Sequence, residues 1–141
     1  MAIKWREQLS VGNDVIDSDH QYLITIINQV EQYVEDKNPA GLTSAFENLV
    51  KYSKLHFARE EEIATAIGYA QTISLQDSHY ALIDKLEHSK LELGDKWTLA
   101  SVERFTALLR SWLIDHIIKE DLLMKPSLAK FSPKFDPRMP A

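Results

Sequence analysis

Apolar residues recur at helical spacing in four stretches of this chain, and polar residues interrupt each stripe near one end. The first stripe runs through Leu23, Ile24, Ile27, Val30 and Val34, and His20 extends it at its start. Ser18 followed by Gln21 is a capping-box pattern, which predicts a helix opening near residue 18. The run Asp36-Lys37-Asn38-Pro39-Ala40-Gly41 reads as the loop that ends it. A second capping pattern, Ser44 with Glu47, opens a helix whose inner face holds Leu49, Tyr52 or Ser53, His56, Glu60, Ile63 and Ile67, with Gly68 as its C-cap. A third helix starts near Ser74, with Asp77 in its capping pattern, and carries Leu75, His79, Leu82, Ile83, Leu86 and Leu93 up to Gly94-Asp95. The fourth starts near Thr98 and uses Val102, Phe105, Leu109, Trp112, Leu113 and His116, and Pro126 stops any continuation.

Four amphipathic helices on short loops predict an all-α fold, an antiparallel up-down-up-down four-helix bundle. No β-alternation and no solenoid-length repeat competes with it. Residues 1–17 read as an N-terminal arm of a domain spanning 1–125. Residues 126–141 read as an extended or disordered tail, because FSPKFDPRMPA holds three of the five prolines.

In such a bundle the start of helix one, the end of helix two, the start of helix three and the end of helix four meet in one layer. Four of the five histidines fall there: His20, His56, His79 and His116, together with Glu60 and a carboxylate near residue 120. A single histidine on an apolar face is usually a core residue with a satisfied hydrogen bond. Four imidazoles and two carboxylates in one dry layer are costly, and a metal ion offsets that cost. His56 and Glu60, four apart, share a helical face. His116 and Asp121 are five apart, so Asp121 needs local unwinding or a π-type bulge to point inward, and spacing alone does not choose between it and Glu120. Without thiolates, mixed imidazole and carboxylate favours iron or manganese over zinc, and two carboxylates on different helices suit two irons.

Composition removes other classes. The formal net charge of −5 argues against a nucleic-acid surface. The absence of cysteine excludes disulfides and cysteine catalysis and suits a reducing compartment, so a cytoplasmic location is expected. No stretch is apolar enough to span a membrane, and the first residues show no signal-peptide pattern.

The segments VGNDVIDSDHQYLITIIN, YSKLHFAREEEIATAIGY, HYALIDKL and LRSWLIDHIIKED together resemble the hemerythrin family in its bacterial form, from about Trp5 to about Leu123. The resemblance implies a non-haem di-iron centre that binds O₂ reversibly, its two iron ions bridged by carboxylates and by an oxo or hydroxo oxygen. It assigns His20 and His56 to the iron that binds O₂, His79 and His116 to the other, and Glu60 and Asp121 as bridges. The metal set it implies is therefore His20, His56, Glu60, His79, His116 and Asp121. The family pattern has a third histidine four residues before His79, where this chain has Leu75. His88 lies about 180° around the helix from His79, and Gln76 and Asp77 point away from the Leu75 direction, so none replaces it.

Two irons, with water or a small anion beside Leu75, is the expectation. One iron, or a metal-poor helical interaction domain, are the alternatives. The resemblance implies O₂ storage, delivery or sensing, with O₂ or another small diatomic or anionic molecule as ligand and no nucleic acid or membrane partner. The leucine brings in a second class, a di-iron redox enzyme acting on peroxide, O₂, NO or Fe(II). The sequence names no protein partner.

Overall fold

A computed structural model describes residues 2–139, so Met1 of the arm and Pro140 and Ala141 of the tail lie outside the described residues. Four long helices, α1 (Asp14–Glu35), α2 (Pro39–Ala66), α3 (Thr72–Leu93) and α4 (Leu99–Lys119), form the antiparallel bundle. Each packs against its sequence neighbour, and α1 closes the bundle against α4.

Three helices begin earlier than the capping patterns suggest, and for two of them a stronger start signal lies upstream. Asn13 caps α1, its side chain accepting from the Ile16 amide, and Asp14 and Asp17 favour the positive end of the helix dipole. Ser18 is consequently interior. Asn38-Pro39 is a cap followed by a first-turn proline, so the segment read as a loop is the opening of α2. A Cβ at Gly41 would overlap the Tyr33 ring, which lets the first turn of α2 lie close against the end of α1. Helix α3 starts at Thr72, putting Ser74 inside it.

The other boundaries follow the sequence signals. Thr98 and Ser101 form a reciprocal capping box at the start of α4. Gly68, with φ of 71°, ends α2 in a Schellman turn, with Tyr69 N–H donating to Ala64 O and Gly68 N–H to Thr65 O.

The C-terminal segment departs from the extended or disordered reading. A 3₁₀ turn (Asp121–Met124) runs into a short helix, α5 (Lys125–Leu128), whose first turn accommodates Pro126. Met124 and Leu128 are buried and Phe135 is half-buried. The chain then folds back over the start of α1, where the Asp14 amide donates to Pro133 O and the Asn13 side chain to Phe135 O. Proline content marked breakers here, and the apolar residues between them decide the outcome.

The core divides in two. A large cluster includes Leu23, Ile27, Leu49, Phe57, Leu86, Leu109 and Trp112. A smaller one joins Val11, Ile16, Ile63, Ala64, Leu75, Met124 and Leu128 at one end of the bundle. On α1 and α3 the predicted histidines fall between these clusters, after Ile16 and Leu75 and before Leu23 and Leu86, and on α2 and α4 they stand next to the last members of the larger one, Phe57 and Ile117.

Candidate metal centre

Each long helix delivers one histidine to that intermediate layer. His20 stands on α1 between Ile16 and Leu23, and His56 and Glu60 share a face of α2. His79 follows Leu75 by one turn on α3, and His116 lies in the last turn of α4. Asp121 reaches the same layer because α4 ends at Lys119. Glu120 leaves helical geometry (φ −125°, ψ −56°), and the 3₁₀ turn swings Asp121 inward. The unwinding is a 3₁₀ turn and not a π bulge.

The six side chains are buried, with Glu60 and Asp121 fully so. Glu60 Oε2 lies 2.9 Å from His56 Nε2 and 3.6 Å from His20 Nε2, and its Oε1 lies 3.1 Å from His79 Nε2 and 3.5 Å from His116 Nε2. Asp121 spans the other pair, 3.0 Å from His20 Nε2 through Oδ2 and 3.1 Å from His116 Nε2 through Oδ1. Two quartets result, His20–His56–Glu60–Asp121 and Glu60–His79–His116–Asp121. Within each, ligand atoms lie within 4.8 Å of one another, and both carboxylates are common to the two.

These residues fit a metal by a direct criterion. His20 Nε2, His56 Nε2, Glu60 Oε2, His116 Nε2 and both Asp121 carboxylate oxygens are buried without a properly oriented hydrogen-bond partner. Buried polar atoms are almost always paired, and here the orphans converge on one another. Burial pulls the His56 imidazole down, but the Glu60 charge and the bond to Asp19 outweigh it and push it up to about 9. Burial likewise opposes charge on His116 and His20, and their carboxylate neighbours raise both. Burial raises the Glu60 carboxyl, yet the surrounding imidazoles, His56 first, hold it well below its ordinary value. Protons and metal cations thus compete for the same imidazole nitrogens and carboxylate oxygens.

On their outer sides three of the histidines donate Nδ1–H to carboxylates outside the implied metal set. His56 donates to Asp19 (3.1 Å), His79 to Glu61 (2.8 Å) and His116 to Glu120 (2.6 Å). Such partners fix the tautomer that leaves Nε2 free for a metal. The available signal was positional: Asp19 precedes His20, Glu61 follows Glu60, and Glu120 precedes Asp121. Glu120 and Asp121, alternatives by spacing, occupy opposite sides of the His116 ring. His20 Nδ1 is buried without a partner. Phe57 stacks on His79 with centroids 4.0 Å apart.

Leu75 is buried in the smaller apolar cluster and presents no donor to the layer. A groove of about 390 Å³ lies beside it, lined by Tyr69, Gln71, Ser74, Leu75, Lys119, Glu120 and Leu123. His88 is exposed and bonded to its own helix through Asp84 O.

The bundle and its imidazole–carboxylate layer define a cation-binding helical domain. The family model described as the hemerythrin HHE cation binding domain matches residues 11–128, and the chain belongs to this hemerythrin family. It is similar to a bacteriohemerythrin of Pseudomonas aeruginosa, 27% identical over 123 residues that cover 83% of this chain and 75% of the relative. A bacteriohemerythrin of Clostridium acetobutylicum is 25% identical, covering 83% of this chain and 94% of its own length. A hemerythrin-like protein of Naegleria gruberi is 26% identical, with 86% and 89% covered. A solved crystal structure of a leucine-to-phenylalanine mutant shares the fold, with a TM-score of 0.78 at 22% identity, covering 92% of this chain and 99% of that one. Among the described residues no helix is long and apolar enough to cross a membrane.

Proposed function

We infer that this chain is a di-iron protein that binds O₂ reversibly, for storage, delivery or sensing, with a ligand set one histidine short at one iron. The observation that carries the reading is the convergence of orphaned Nε2 and carboxylate oxygen atoms in two quartets sharing Glu60 and Asp121. His20 and His56 would hold one iron and His79 and His116 the other, with the two shared carboxylates between them. The iron pair would supply the reversible binding of O₂, which no side chain provides. The protein's own part is to present neutral imidazoles and to keep water away. Leu23, Ile24, Phe57 and Trp112 are buried and wall the layer from the larger core, and Ile63 and Met124 close the opposite side. The Trp112 indole N–H is itself satisfied by Leu82 O, so this wall carries no free donor there. The reading includes a cytoplasmic location, which the cysteine-free sequence supports.

A second reading, a redox enzyme consuming peroxide, draws on Leu75 and the groove beside it. The His79–His116 half lacks a third imidazole and adjoins an opening large enough for small molecules. One experiment separates the readings: metal analysis with visible spectra of the reduced, oxygenated and peroxide-treated protein. About two irons per chain and a reversible oxygenated spectrum support the carrier. Steady peroxide turnover without a lasting oxygenated form supports the enzyme. One iron or fewer after anaerobic Fe(II) reconstitution rejects the di-iron assignment.

A further inference from the structure

We propose that Asp19 is a positioning residue that holds His56 in its Nδ1–H tautomer and so keeps Nε2 available to the metal. The inference rests on the di-iron reading and adds a residue outside its ligand set. Asp19 belongs to α1 and is only 3% exposed. Its Oδ1 accepts from the Tyr52 hydroxyl at 2.6 Å and from Arg59 Nη1 at 2.8 Å. That leaves Oδ2 for His56 Nδ1, at 3.1 Å. Tyr52, His56 and Arg59 stand at i, i+4 and i+7 on one face of α2, so three donors from one helix converge on one carboxylate of another.

This arrangement has a chemical direction. A carboxylate only accepts, so His56 must carry its proton on Nδ1 and turn a lone pair toward Glu60. Two donors on Oδ1 prevent the carboxylate from rotating away. The partners of the other imidazoles differ in grip: the Glu61 and Glu120 side chains are 27% and 30% exposed, whereas that of Asp19 is 4% exposed. Packing alone does not call for a buried carboxylate at this place, since charge burial is costly without a task. His20 is the next residue along α1, and its ring lies 4.7 Å from that of His56. One anchored residue therefore sets the backbone of the first imidazole and the tautomer of the second.

The test uses the full chain loaded with Fe(II), and with Zn(II) as a diamagnetic probe for NMR. Release of Fe(II) to a chelator should accelerate about 10- to 100-fold in Asp19→Ala. The isosteric Asp19→Asn should be equally impaired, because an amide cannot accept from His56 on one side and from Arg59 and Tyr52 on the other. Removing the donor that cannot reverse in Asp19→Asn/Arg59→Met leaves only the Tyr52 hydroxyl, which can accept from the amide N–H, so the amide oxygen can turn to His56 and most of the loss should be recovered. In the zinc protein the slowly exchanging His56 Nδ1–H resonance should be present in wild type, lost in Asp19→Asn and restored in the double variant. Melting of the metal-free variants reports any folding defect separately, and the Asn series stands if the alanine variant does not fold. Wild-type release and an unchanged resonance in Asp19→Asn overturn the proposal. So does faster release with the resonance intact and no rescue, which is the behaviour of a purely structural residue. Wild-type protein that takes up no metal overturns the di-iron reading as well.

Discussion

Behind His56 stands an almost fully buried carboxylate, Asp19, whereas the carboxylates behind His79 and His116 reach the surface, and an open groove adjoins each half. The two halves share Glu60 and Asp121 and so share the charge that attracts cations. They differ in what surrounds that charge. On one side Asp19 is clamped by Tyr52 and Arg59, and on the other Leu75 replaces polarity with a side chain that cannot ligate. Attraction for a cation and control of what else enters are therefore separable properties of this layer, set by different residues.

The strongest way to break the comparison is to remove what the halves have in common. Under the proposed di-iron function, Glu60→Ala should abolish retention of both irons, giving less than about one per chain against about two expected for wild type, while His88→Ala keeps the wild-type content. Elemental analysis after desalting reads this directly, and equal loss in both variants would place His88 at the site. A narrower change affects one half only. Leu75→His should lengthen the life of the oxygenated form and slow peroxide consumption severalfold, because position 75 lies one turn from His79 on the same face. In metal-free protein the same change should cost about 1–3 kcal/mol, since it places a polar ring in an apolar cluster. Identical iron content, spectra and rates in the two proteins would remove position 75 from the site.

The metal-free protein should also lose thermal stability as pH rises. The folded His56 value, about 9, lies above the ordinary 6.5, so its contribution is complete below about 6.5 and is lost as pH passes through about 9. His20 and His116 are raised as well and act in the same direction. Melting temperatures across that window check it, and a flat profile would mean that these imidazoles are neutral in the fold. The smallest effect is expected at Glu61→Gln. Its carboxylate is partly exposed and readily replaced by water, so iron release should change less than about tenfold, below the effect at Asp19. A larger effect there would erase the difference between the two halves.

The bundle was legible because its stripes are long and periodic, and the four histidines interrupt them at one level. The helix starts were less legible. Ser18, Ser44 and Ser74 each match a capping pattern yet lie inside helices: Asn13 and Asn38-Pro39 place the first turns of α1 and α2 earlier, and α3 starts at Thr72 without a side-chain cap. The six ligand-type residues were readable from spacing and resemblance, and the structure brings all six side chains into one layer. The acceptors behind the imidazoles were not. Asp19 contacts α2 across a gap of 37 residues to His56, a relation that no local pattern encodes. In the tail, the buried Leu128 and half-buried Phe135 carry an apolar signal that the prolines around them obscure.

The wide sequence separation of the ligand atoms has a mechanical consequence. His20 and Asp121 approach to 3.0 Å although most of the chain lies between them. Under the proposed function, a bound ion joining them would act as a cross-link closing a loop of about a hundred residues. Tying a loop that long restricts the unfolded ensemble by an amount comparable to a disulfide, on the order of 4–5 kcal/mol. In a chain without cysteine the centre would then serve as the covalent staple's substitute. Stripping the ion would shift the balance between folded and unfolded chain as well as remove a ligand site.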